Sequence, residues 1–412
     1  MSVLLTNLPN PTQAADRSPT AAYIHIPFCR RRCFYCDFAI AVMGDQARGE
    51  TSPTMQTYVD TVCREIQATP MAATPLETVF FGGGTPSLLA PNQVEQILAA
   101  LQNRVSIAPG AEISMEMDPG TFGRSQLQAL KALGLNRVSL GVQSFQDQVL
   151  EACGRTHRLA DIEQAIADLQ AVDIASWSLD LISGLPHQTL EQWQANVEQA
   201  IAHQPNHISV YDLTVEPDTV FAKRYDPGEA PLPAEVATAD MYRFAQAQLT
   251  AAGYDHYEIS NYAQPGHQCC HNRVYWENRP YYGFGMAATS YRHRQRFSRP
   301  RTTHQYQQWV AAYVQTDGTL NCDPTPPTEQ LLDQLMLGLR LAEGVALPAL
   351  TAQFSPEILP ILHKTLTPFI EQGWVILDTT PARRIRLSDP EGFLFSNQVL
   401  AALFEAWETS DS

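Results

Sequence analysis

The stretch Tyr23-Ile-His-Ile-Pro-Phe-Cys29-Arg-Arg-Arg-Cys33-Phe-Tyr-Cys36-Asp-Phe38 sets three cysteines at spacings of four and three directly after an apolar strand pattern. A tight loop of this kind converges three thiolates on one small object. A structural zinc site closes its shell with four ligands. An iron–sulfur cluster also takes Cys thiolates, usually four, so a cubane held by three leaves one iron with an open position, where chemistry can occur. By spacing alone, a zinc knuckle short of its fourth ligand and three incidental core cysteines remain alternatives. Cys63 is the other thiol within reach along the chain, and it falls in a helical pattern beyond the loop.

Outward from that loop, the 412 residues are too many for one ordinary core and imply about two or three domains. The 44% apolar share is that of a globular chain, and no run approaches the ~18–20 apolar residues that span a bilayer. The first residues lack a basic start followed by an apolar core, so residues 1–22 read as a loose leader and the expected location is cytoplasmic. Of the eight cysteines, three are clustered, Cys269 and Cys270 are adjacent, and Cys63, Cys153 and Cys322 are scattered. That distribution suits metal binding or reduced buried thiols rather than a disulfide framework. A net charge of −16 argues against nucleic-acid binding, which needs an extended surplus of Lys and Arg. Two basic patches remain, Arg30-Arg31-Arg32 in the cysteine loop and the run Arg292, Arg294, Arg296, Arg299, Arg301.

Strand and helix patterns alternate from Ala22: strands at 22–28, 78–81, 112–117, 137–142, 178–182 and 207–214, with helices at 53–68, 92–105, 126–133, up to 169, and 190–202. Six such units predict a parallel sheet covered by helices and curled into a partial (β/α)6 barrel, with reacting groups at the C-terminal strand ends. Pro227–Pro233 marks a break, followed by a helix over 234–252 and a strand over 257–259. Asp323-Pro-Thr-Pro-Pro327 reads as a stiff linker into two helices, a hairpin and a last helix, a small winged-helix-like α+β module. The expected organisation is therefore 1–22 leader, 23–226 barrel, 227–322 extension and 323–412 C-terminal domain.

Several polar residues fall on the functional rim of this α/β plan. Gly82-Gly83-Gly84-Thr85-Pro86 follows the second strand, where glycines let the backbone approach a ligand, although an ordinary βα turn has the same composition. Glu116 ends the third strand before Asp118-Pro-Gly120, placed to accept hydrogen bonds from a ribose or an ammonium. Gln143, Arg155 and Asp180 lie at or just beyond later strand ends.

The CxxxCxxC pattern, with Tyr35 just before the third cysteine, resembles the radical S-adenosylmethionine (SAM) superfamily. More narrowly, YIHIPFC, GGGTPS, Gly141-Val-Gln-Ser144 and DLISGLPHQT are similar, in order, to the oxygen-independent coproporphyrinogen III oxidases and their relatives, from about Tyr23 to the C-terminus. That resemblance implies Cys29, Cys33 and Cys36 as ligands of a [4Fe–4S] cluster, and Tyr23, Gly83 and Glu116 as contacts to the SAM on it. It implies Tyr35, Gly84, Thr85, Gln143, Arg155 and Asp180 as lining of a second SAM or substrate cavity.

Two departures divide the branches. The oxidase has a further cysteine two residues past the third, where this chain has Phe38, and it carries a substantial N-terminal extension. Phenylalanine does no thiol chemistry. Both departures match the HemW branch of heme chaperones, which implies heme, heme-acceptor proteins and, if SAM is cleaved, an electron donor as partners. The oxidase itself is the alternative function, and a radical SAM RNA-modifying enzyme is a third class opposed by the acidic balance. His271-Asn-Arg-Val-Tyr-Trp276 is an HNxxYW motif that this branch links to heme, making His271 the heme candidate. By residue type alone, His271 is an ordinary buried histidine, and Cys269 and Cys270 are alternative ligands. Where relatives often have Gly-x-Gly-Ala-His, this chain has Gly283-Phe-Gly-Met-Ala-Ala288, so no histidine stands there.

Overall fold

The computed structural model describes residues 18–320, 323–378 and 383–408. Most of the expected leader and Cys322 lie outside them. The first strand, β1 (Ala21–Ile26), runs into the cysteine loop, which is closed by the short parallel pair β2 (Phe28–Cys29) and β3 (Ala41–Val42). Helix α1 (Pro53–Ala68) begins where the Ser52 hydroxyl accepts the Met55 N–H at 3.3 Å and Pro53 presets the first turn. The expected alternation follows: β4 (Leu76–Gly83), α2 (Pro91–Gln102), β5 (Ile107–Met117), α3 (Arg124–Ala132), β6 (Arg137–Gln143), α4 (Asp147–Ala152), α5 (Leu159–Val172), β7 (Ser176–Ser183), α6 (Leu190–Ala202) and β8 (His207–Asp212).

Beyond β8 come α7 (Glu235–Ala251), β9 (Asp255–Glu258), β10 (Asn261–Ala263), α8 (Cys270–Trp276), β11 (Tyr282–Phe284), the hairpin β12 (Thr289–Arg292) and β13 (Gln295–Ser298), and α9 (Thr303–Gln315). The nine-stranded sheet has the order β11-β1-β4-β5-β6-β7-β8-β10-β9, so it is an open, partial barrel with β11 and β9 at its edges. From β11 to β8 every pairing is parallel, and β10 and β9 close that end antiparallel. The segment after residue 227 thus adds strands to both edges of the barrel sheet. The strand expected over 257–259 is present as β9, which starts two residues earlier and ends at Glu258, with Ile259 in the turn to β10.

The C-terminal unit comprises α10 (Pro327–Gly338), β14 (Val345–Ala346), α11 (Leu347–Phe354), α12 (Ile358–Glu371), β15 (Val375–Leu377), β16 (Arg384–Leu387), α13 (Glu391–Leu394) and α14 (Ser396–Glu408). Its three strands form an antiparallel sheet, and Leu335, Leu362, Ile385, Val399 and Leu403 belong to a hydrophobic core of its own. It docks on the β9 edge through Ile259 N–H to Arg340 O and Ala342 N–H to Tyr257 O, both 3.0 Å, and through Arg243, which forks onto Glu391 at 2.7 and 2.9 Å.

Four of the five arginines in the far basic run are engaged within the fold. Arg299 turns inward and is 2% exposed, its Nε 2.7 Å from Glu65 of α1. Arg292 lies over the Tyr282 ring, Arg296 pairs with Asp333 at 3.2 Å, and Arg301 donates to the Asp37 carbonyl. The hairpin thus uses these cations to pack against its neighbours.

Candidate functional site

A cavity of about 410 Å³ opens at the C-terminal ends of the parallel strands. Cys29, Cys33 and Cys36 line one wall, and Tyr35, Gly83, Gly84, Thr85, Glu116, Gln143, Arg155 and Asp180 line it as well. The GGTP turn meets the cysteine loop backbone to backbone: Gly84 N–H donates to Ile26 O at 2.8 Å and Thr85 N–H to Phe28 O at 2.7 Å. A Cβ on Gly84 would lie 2.8 Å from the Phe28 carbonyl oxygen, and Gly83, at φ +112°, sits over the His25 ring, so larger residues would push the two apart.

The thiols are free and held by polar neighbours. Arg155 Nη1 lies 3.4 Å from Cys33 Sγ, and the Thr85 hydroxyl 3.6 Å from Cys29 Sγ. Burial pushes the Cys29 thiol up to about 12, with the Thr85 hydrogen bond opposing. A thiolate there requires a compensating cation, which a metal centre supplies. Among the described residues no group of three or more His, Cys, Asp or Glu side chains gathers tightly enough for a single metal ion. Cys63 is not a fourth ligand: it lies in α1, with its Sγ 3.7 Å from Gln96 O.

Three carboxylates, Asp118, Asp180 and Glu116, line the same cavity. Asp118 accepts from Arg155 Nη2 at 2.6 Å and from the Thr85 hydroxyl at 3.1 Å. Asp180 accepts from Ser139 at 2.8 and 3.0 Å and from Ser178 at 3.0 Å. Glu116 accepts the Gly83 N–H at 2.8 Å. Burial pushes its carboxyl up to about 7, opposed by the Gly83 N–H and reinforced by the charges of Asp180 and Asp118. This arrangement attracts an ammonium or a pair of sugar hydroxyls.

The affinity for a cationic amine such as SAM should therefore rise between about pH 6 and pH 8, as Glu116 ionises. Glu116→Gln should flatten that rise, and a flat wild-type profile in calorimetric titration would overturn the assignment. For stability the sign is opposite. The unfolded chain ionises at the ordinary carboxylate value and the folded chain only near 7, so this group costs stability as pH rises through that window.

Two expected residues lie off the cavity. Tyr23 stands behind its wall, stacked on Phe80 at 6.2 Å, with its hydroxyl 3.1 Å from His25 Nδ1. His271 is fully buried, its Nδ1 2.8 Å from the Thr78 hydroxyl, its Nε2 2.9 Å from the Tyr275 hydroxyl and its ring stacked on Phe80 at 5.0 Å. Burial pushes it down to about 3. With both ring nitrogens engaged and no face on the cavity, His271 does not present an iron ligand in this arrangement; it supports Phe80 and Tyr23. The motif residue that does line the cavity is its neighbour Asn272, together with Cys269, whereas Cys270 is exposed outside it.

Sequence reasoning missed Asp118 as a partner of Arg155, and it missed Arg137, Ser139, His207, Ser209 and Tyr211, all of which line the cavity. The available signal was period two: residues 137, 139, 141 and 143 of β6, and 207, 209 and 211 of β8, share one face of the sheet.

Residues 23–200 match the radical SAM superfamily and residues 325–395 the HemN C-terminal domain. The chain is 50% identical over 403 residues to a Synechocystis protein described as heme chaperone HemW, covering 95% of this chain and 97% of that one. This chain belongs to the HemW family. A Lactococcus lactis HemW is 32% identical over 93% of this chain and 97% of its own. Coproporphyrinogen III oxidase (HemN) from Escherichia coli superposes with a TM-score of 0.80 over 95% of this chain and 92% of that one, at 22% identity. HemN and this HemW relative therefore share a fold. Among the described residues no helix is long and apolar enough to cross a membrane.

Proposed function

We propose that this chain is a cytoplasmic heme chaperone that holds a [4Fe–4S] cluster on Cys29, Cys33 and Cys36, binds SAM beside it, and binds heme for delivery to acceptor proteins. The observation that carries this reading is Phe38. It stands on the cavity rim, 59% exposed, at the position where the oxidases have a cysteine. The near full-length identity to a protein described as a heme chaperone supports it, and free thiols throughout the described residues suit a reducing compartment.

In this reading a bound cluster would supply an open iron site for chelation and, given an external electron, a route to SAM cleavage. The chain's part is to bind and orient. Glu116 and the Gly83 backbone face the ligand's polar groups, Asp180 is fixed by two serine hydroxyls, and Arg155 bridges Asp118 to Cys33. An electron donor is a partner only if SAM is cleaved.

The test offers heme and coproporphyrinogen III in parallel to anaerobic, cluster-loaded protein with SAM, followed by an apo heme protein as acceptor. Stoichiometric heme binding and transfer without carbon dioxide release is the expected result. Decarboxylation of the porphyrinogen would overturn it in favour of the oxidase.

A further inference from the structure

We infer that heme docks outside the cavity, across its mouth, with the porphyrin face on Phe38 and the propionate edge toward Arg30; this rests on the heme-chaperone reading. The first argument is room. The cavity of about 410 Å³ lies toward the lower end of the ~300–1,000 Å³ typical of ligand pockets. Its lining sets Glu116, Asp118, Asp180 and Arg155 beside the three thiols, a setting that suits a polar ligand next to a cluster better than an apolar plate.

The second argument is the character of the rim. The exposed large apolar side chains among the described residues are Phe38, Val42, Tyr211, Val236 and Leu377. Phe38 and Tyr211 line this one cavity, and Val42 lies in the strand that closes the cysteine loop. Flat apolar and aromatic surface at a rim is what a porphyrin face recognises. Phe38 is also held in place, because Arg32 Nη1 donates to the carbonyls of Cys36 and Phe38 at 3.1 and 3.0 Å, and Arg301 Nη2 to that of Asp37 at 3.0 Å. The loop backbone that carries the ring is thereby fixed, which lowers the ordering cost of binding.

The third argument is charge. In a chain of net −16, three consecutive arginines flank this rim. Arg32 is committed to the loop carbonyls and Arg31 forks onto Asp45 at 2.9 and 2.5 Å. Arg30 lines the cavity, donates to the Gly120 carbonyl at 3.0 Å, and has no ion-pair partner among the described residues. Asp45, Asp118 and Asp161 act on Arg30 only at a distance, so its guanidinium, next to an exposed aromatic, is open to a direct pair with a propionate of an apolar plate.

Heme titration of anaerobic, cluster-loaded protein tests this with Phe38→Ala, Phe38→Trp and Arg30→Gln, recording the iron–sulfur absorption and SAM affinity alongside. Phe38→Ala should weaken heme binding about tenfold and Arg30→Gln about threefold to tenfold, while Phe38→Trp retains heme affinity and the iron–sulfur absorption identifies protein with an intact cluster. Unchanged heme affinity in Phe38→Ala with an intact cluster would overturn the docking site. So would unchanged affinity with slowed transfer, since the rim would then be a surface for the acceptor protein. A wild-type protein that binds no heme would instead refute the chaperone reading itself.

Discussion

Cys33→Ser is expected to remove the cluster and, with it, tight SAM binding. Iron should fall from about four per chain to near zero, and the broad visible absorption should vanish. Serine offers a hard, weakly acidic oxygen in place of a soft thiolate, and the remaining Cys29 and Cys36 cannot hold a cubane alone. The fold should survive, since Cys33 is half-exposed and its polar neighbour, Arg155, keeps Asp118 at 2.6 Å. Against cluster-free wild-type protein, a stability change within about 0.5 kcal/mol is therefore expected. Cys63→Ser is the control, because that thiol lies on α1 facing the Gln96 carbonyl and should leave iron content untouched. Iron analysis and anaerobic SAM titration of both variants check the assignment. A Cys33→Ser protein that keeps its cluster would sink it, and a Cys63→Ser protein that loses iron would do the same.

How far the site could be read from the chain follows from the geometry of each element. The barrel strands β4, β6, β7 and β8 announce themselves because strands covered on both faces become short apolar runs. The thiols, the GGTP turn and Glu116 are legible because they sit within a few residues of one another in motifs or at strand ends. Arg137, Ser139 and Ser209 sit inside strands and look like interruptions of a buried run. Only the alternation of side chains, joined to the knowledge of which end faces a cavity, makes them lining residues.

β11 has three residues, one of them glycine, too few for a period, and it pairs with β1 from about 260 positions away in sequence. The HNxxYW motif is ambiguous for a different reason. Neighbours on a helix point about 100° apart, so the string cannot say whether His271 or Asn272 meets the ligand. The fold turns His271 into the packing between Thr78 and Tyr275 and Asn272 toward the cavity.

The largest loss of stability is expected from Glu65→Ala. Glu65 looks like one more helical acid in α1, yet it is fully buried and gathers four elements. Its Oε1 meets Arg299 Nε at 2.7 Å, and its Oε2 accepts the Gly285 N–H at 2.9 Å and the Tyr306 hydroxyl at 2.6 Å, while Arg299 also donates to Ser290 at 2.7 Å. Removing the carboxylate leaves the Arg299 guanidinium unpaired in a dry interior, a loss of about 3–5 kcal/mol from a total that is typically ~5–15 kcal/mol.

The double variant Glu65→Gln/Arg299→Met should regain much of that loss, because it removes the unpaired guanidinium and keeps an acceptor for Gly285 and Tyr306. Denaturant unfolding of Glu65→Gln, Arg299→Met and the double variant measures the coupling directly. Additive losses would show that the pair does not hold these elements together. The expected coupling also reaches the site. The β11 segment ending at Phe284 is pinned through Gly285 to this carboxylate, and it pairs with β1 at Tyr23↔Gly283, directly behind the cavity wall. Loosening Glu65 should therefore weaken SAM binding in protein that remains folded, and Glu65→Gln, which keeps an acceptor for Gly285 and Tyr306, should do so less than Glu65→Ala.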